Sequence, residues 1–194
     1  MSLLLALLLQ AAPAPTAIEC GATALGMPDK ADFDQTALAM SFALIAANES
    51  SEKDFVDRFY AASQSIHDAA IARKQGAGPS TEACRNAWPV AWRAAPIALP
   101  QDRFERAQLC STVASMTRGL ADVHGQRSGD RSTFDRLTPV ADRFAKLTSD
   151  DDYHAHGIYT ADDIKRMVGQ AMSTAAKLGS LTALTESCIT AFPE

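Results

Sequence analysis

The chain reads as all-α, a bundle of about six to seven helices, on three observations. Apolar residues recur at every third or fourth position through most of its 194 residues, the period at which side chains share one face of a helix. No stretch alternates apolar and polar residues between turn signals, as a half-buried strand does. Alanine crowds the periodic segments, and alanine loses no side-chain freedom on entering a helix.

In chain order, residues 32–47 form the first predicted helix. Phe33, Ala37, Met40, Leu44 and Ala47 fall at helical spacing on a stripe wide enough for a central helix, and Asp29 or Asp32 can cap its start. Asn48 to Ser51 break it. Ser51 and Asp54 have capping-box spacing, and Phe55, Phe59, Ala62, Ile66 and Ala69 carry a helix over 52–74, stopped by Gly76, Gly78 and Pro79. Ser80 caps a short helix bearing Cys84, which Pro89 ends by removing a donor. Pro89, Pro96 and Pro100 exclude a long helix across that segment. They suggest a seam between halves 18–88 and 101–194 of a single domain, residues 18–194.

Residues 101–121 resume the period with Leu109, Val113, Met116 and Leu120, Cys110 beside them. Ser132 or Thr133 opens the next helix, which runs to about Leu147 with Phe134, Leu137, Ala141 and Phe144, and Pro139 bends it or delays its start. Residues 148–157 are expected to be a polar loop. Thr160 and Asp163 repeat the capping signal ahead of Ile164, Met167, Val168, Ala171, Ala175 and Leu178. A last helix over 180–192 carries Cys188.

Two short stretches echo each other, Ser80–Pro89 (STEACRNAWP) and Leu184–Pro193 (LTESCITAFP). Aligned on Cys84 and Cys188, they share a Thr-Glu pair, a small residue, the cysteine, an alanine three residues on, and aromatic-proline. This predicts one short helix used twice, each time as the second arm of a hairpin of long helix, short turn and cysteine helix.

The first 17 residues carry an apolar run from Leu3 to Leu9 followed by small residues and prolines, a secretory signal with expected cleavage after Ala17. It lacks a Lys or Arg ahead of the run. The run is too short to span a bilayer, which takes about 20 apolar residues. Cys20, Cys84, Cys110 and Cys188 then remain, and in an exported chain an even set implies disulfides, here with three connectivities open. For a duplicated unit the economical pairing is Cys20 with Cys84 and Cys110 with Cys188. Zinc is the competing use, but there is no Cys-x2-Cys pair.

A net charge of −5 and a pI near 5.3 give no electrostatic reason to expect nucleic acid, whose binding needs a basic face. Catalytic and phosphate-binding motifs are absent from the sequence, as is any covalent haem signature, so no cofactor is assigned. The most chemically loaded stretch is Tyr153, His154, Ala155 and His156 beside Asp150, Asp151 and Asp152, since His154 and His156 are metal-ligand types. The plainer reading is a hydrated acidic loop, because spacing supplies no third ligand, and the histidines also spoil 152–163 as a calcium loop. His67 and His124 are general-base candidates that read more simply as packing histidines. Trp88 and Trp92 are either an aromatic binding platform or a plug at the seam. The Asp-Arg-Phe triplets at 57–59, 102–104 and 142–144 are what solvated helix faces beside a buried Phe produce.

The expectation is therefore a periplasmic or secreted, disulfide-braced helical protein that acts by binding another envelope protein, as an accessory, inhibitor or immunity-type factor. A small-ligand or metal binder using His154 and His156 is the alternative, and an enzyme built from scattered His and Asp residues comes third.

Overall fold

A computed structural model describes residues 13–51, 54–73 and 77–193. Among these residues there are nine α-helices and no strand: α1 (Ala17–Leu25), α2 (Phe33–Asn48), α3 (Phe55–Ala72), α4 (Thr81–Ala87), α5 (Arg103–Ser128), α6 (Ser132–Phe144), α7 (Asp150–Ala155), α8 (Ala161–Leu178) and α9 (Leu181–Ala191). Short 3-10 turns follow α1 and α4, at Pro28–Lys30 and Pro89–Trp92. The all-α class holds, and the helix count exceeds the expected six to seven because α1 and α7 were not anticipated.

Both extra helices begin with a capping box. The Thr16 hydroxyl accepts from the Glu19 N–H while the Glu19 carboxylate accepts from the Thr16 N–H, and Ser149 and Asp152 do the same for α7. Each box satisfies two of the amides a helix leaves unpaired at its start. The apolar run of the leader, Leu3 to Leu9, lies outside the described residues. Its expected boundary runs through the first turn of α1: the Pro15 carbonyl accepts from Trp88 Nε1 at 2.9 Å, Thr16 is the cap, and Ala17 is buried.

Caps expected at Asp32 and Thr160 form. Ser51 and Asp54 do not form the expected box; α3 starts after Asp54 with no side-chain bond at its cap. The expected end of α5 at Ala121 is corrected to Ser128, where Gly129 at φ 79° turns the chain and donates to the Gly125 carbonyl. Only glycine holds that left-handed conformation without a Cβ penalty. Pro139 sits inside α6 and does not delay its start.

The disulfides are Cys20–Cys84 and Cys110–Cys188, the economical pairing, and all four cysteines are buried. Each ties the first helix of one half to the short cysteine helix of the same half. Around them lie two apolar clusters. One gathers Ala17, Leu25, Phe42, Ile45, Ile66 and neighbours; the other gathers Leu44, Leu109, Val113, Phe144, Met172, Leu181 and Leu184. The helix α2 belongs to both, which is why it is apolar nearly all round. The linker passes from one cluster to the other, with Val90, Ala91 and Trp92 in the first and Ile97 in the second. It is pinned where Arg93 donates to the Leu178 carbonyl at 2.7 Å and the Ile97 N–H donates to Ser187 Oγ at 2.8 Å.

The two echoing helices share their ends. Ser80 and Ser180 cap them in the same extended conformation, and Trp88 and Phe192 close them, each N–H donating to the carbonyl of its cysteine. The surroundings differ: α2 packs on α3, whereas α6 packs on α5 and makes no comparable contact with α8. Two disulfides fit an oxidising compartment, and among the described residues no helix is long and apolar enough to cross a membrane.

The closed loops span 64 and 78 residues, for which the chain-entropy estimate is about 4 kcal/mol each. Reducing both bonds should lower the denaturant midpoint sharply, and the Cys110→Ser/Cys188→Ser variant should account for about half of the loss. At Gly21 an added Cβ would strike the buried Ile66 side chain and crowd Phe42. Gly21→Ala should therefore cost about 1–3 kcal/mol in equilibrium unfolding.

Candidate functional site

The structure spends His154 and His156 on different neighbours. The His156 ring stacks on Phe104 with centroids 3.8 Å apart, and its Nδ1 meets the Asp152 carbonyl at 2.8 Å. His154 stacks on Tyr159 at 5.2 Å. Among the described residues no group of three or more His, Cys, Asp and Glu side chains is placed to hold a metal ion. The loop expected at 148–157 is instead a capped helix clamped by its aromatic residues onto the start of α5.

Trp88 and Trp92 are half-buried parts of the first cluster. Trp88 holds the Pro15 carbonyl; Trp92 meets Phe42 edge-on at 6.3 Å, with the Arg85 guanidinium 4.9 Å from its ring centre. They do not form an open platform, and they plug the base of the linker. His67 is exposed and lies 3.8 Å from Asp68. His124 lines a polar hollow of about 480 Å³ with Asp32, Asp130, Arg136 and Glu186, where Arg136 is paired with Glu186 at 3.2 Å.

What spacing did not single out is an apolar groove where α3, α5 and α8 meet. Its main hollow, about 330 Å³, is walled by Val56, Phe59 and Tyr60 of α3, by Ile164, Met167, Val168 and Met172 of α8, and by Met116 with the polar Ser111, Thr112 and Ser115 of α5. That volume lies at the lower end of the range for ligand pockets. Tyr60 is 67% and Ile164 50% exposed at the rim. Thioether side chains are flexible and polarisable, so a wall with three methionines can adapt to more than one apolar shape.

Polar groups converge on this groove from one chain of hydrogen bonds. Gln108 is buried on α5; its Nε2 donates to Thr148 Oγ1 at 3.2 Å, and Thr148 donates to the Tyr153 hydroxyl at 3.1 Å. Both Gln108 and Tyr153 line the hollow. Tyr153 is held there by α7, edge-on to Phe104 at 6.0 Å, the ring on which His156 also stacks. Comparisons with protein-family models, curated proteins and solved structures find no match to this chain.

The Asp152 carboxyl is held below its usual value of 3.8, first by the bond from the Ser149 N–H and then by the Ser149 hydroxyl. A lowered folded-state value means that the cap contributes fully above the unfolded value and is lost as pH falls below it. α7 and with it Tyr153 should therefore loosen only in acid below about pH 4, read as a change in Tyr153 ring resonances. Asp152→Asn should abolish that titration.

Proposed function

We propose that the protein is an exported, non-catalytic binding factor of the cell envelope, accessory, inhibitory or immunity-type. Its groove between α3, α5 and α8 takes an apolar segment of another protein. The observation that carries this is an open apolar hollow, walled by methionines and exposed Tyr60 and Ile164, on a scaffold that two disulfides hold in shape. Preorganised apolar surface lowers the ordering cost of association. Three of the four histidines support binding over catalysis: the ring bonding and stacking of His154 and His156 are within α7 and its neighbours, and His67 lies on an exposed face, while His124 lines the polar hollow with Asp130.

Export rests on the apolar leader together with the disulfides. The cut is proposed to fall N-terminal to Pro15, because removal through Ala17 would strip the Thr16 cap and the acceptor of Trp88. Intact mass of the exported protein should show Pro15–Ala17 retained, and a mature chain beginning at Ile18 would contradict this.

Ile164 sits on the groove rim and is half exposed, so Ile164→Glu should leave stability within about 0.5 kcal/mol. It should weaken partner binding at least tenfold by forcing a carboxylate against apolar surface. A photo-crosslinking residue at Tyr60 should give a discrete adduct in envelope extract that Ile164→Glu removes. Adducts indifferent to that substitution would end the proposal.

A further inference from the structure

The groove continues into a second hollow of about 270 Å³ lined by apolar Phe104, Leu109 and Ala171 and polar Glu105, Gln170 and Thr174, and Gln108 and Met167 line both hollows. Gln108 thus stands between a mainly apolar hollow and one of mixed polarity while itself only 5% exposed. Its Nε2 uses one hydrogen on Thr148. Its carbonyl oxygen accepts no hydrogen bond from the described residues. Neither amide atom is sealed in without a partner, so both open to the groove, and an occupant that covered them without matching hydrogen bonds would cost about 1–3 kcal/mol for each unmet group; the chemistry that belongs there is a donor and an acceptor side by side.

Resting on the groove reading above, we infer that the occupant is an extended peptide segment of the partner. It places an apolar side chain in each hollow, its backbone amide over Gln108, and a basic residue beside Glu105. A peptide unit supplies the required N–H and C=O together, whereas an alkyl chain or a plain aromatic ring would seal the Gln108 carbonyl away from any donor. The Tyr153 hydroxyl accepts from Thr148, so its own hydrogen is available to a second peptide carbonyl. Glu105 is exposed at the mouth of the second hollow and carries no ion pair among the described residues, so its carboxylate is open to a cation on the ligand. The two hollows run along α5 from Phe104 to Met116, about 18 Å at the helical rise. About five extended residues cover that length.

The test uses the mature full-length protein and a fluorescent capped pentapeptide with leucine at its second and fourth positions and lysine at one end. A matched depsipeptide replaces the amide between the leucines by an ester, which deletes the N–H. The inference expects saturable binding, a roughly tenfold weaker ester, and amide and ester binding alike to Gln108→Met. Neutral norleucine in place of the lysine should weaken binding, and Glu105→Gln should erase that difference. Equal binding of amide and ester to the unmodified protein, or no saturable peptide binding, overturns the inference without needing any variant to fold. The apolar dye 8-anilinonaphthalene-1-sulfonate separates the two layers. Dye binding that Ile164→Glu abolishes, with amide and ester equal, removes the peptide and keeps the groove, whereas dye binding unaffected by Ile164→Glu removes both.

Discussion

The structure depends on one helix being buried on opposite sides. α2 sends Phe42, Ala43 and Ile45 into one apolar cluster and Leu44 and Ala47 into the other, so neither half completes its core without it. Burying apolar surface on both sides of one segment makes the two clusters mutually dependent, since removing α2 from either exposes area worth about 25 cal/mol per Å². The disulfides act on top of this. They hold α4 on α1 and α9 on α5, and the bond matters most for α4, which buries only Cys84.

The groove follows from that arrangement. α8 packs on α2, α3 and α5 together, and its outer face is left over the gap between α3 and α5 with Ile164, Met167 and Val168 exposed to it. Lys165 on the same helix reaches Asp54 and Asp57 at 3.1 Å, and those partners raise its pKa, Asp57 most. Such exposed pairs add little stability, but these set α8 against the start of α3. α7 closes the other end, where Phe104, Tyr153 and His156 interlock.

Much of the fold was legible in residues that act locally. The helices α2, α3, α8 and α9, the Asp32 and Thr160 caps and the cysteine echo all depend on neighbours a few positions away and form. The expected α8 stripe, however, is buried only at Ala171 and Ala175, with Ile164, Met167 and Val168 on the groove instead. The missed helices were legible in the same terms: Thr16 with Glu19 and Ser149 with Asp152 are capping boxes, masked in one case by the leader and in the other by a run of aspartates that reads as loop. α5 runs past its expected end through Gly119 and Gly125, because packing overrides the weak intrinsic preference of glycine against helix.

The groove was not legible, because Gln108 looks like any polar residue beside a stripe. Its burial depends on Thr148 and on α8, far away in the chain. The histidines drew attention by their chemistry, yet their rings pack on Phe104 and Tyr159. The one available hint was the set of methionines at 116, 167 and 172, which helical spacing assigns to core as readily as to a surface.

Native-state hydrogen exchange of the oxidised protein tests the shared-helix account most directly. The amides of Phe42 to Ala47 should exchange only through global unfolding, with the same free energy as the slowest amides of α1 and of α5. Exchange of α2 at a lower free energy than either, or separate values for the two clusters, would show that the halves stand without it and contradict the account.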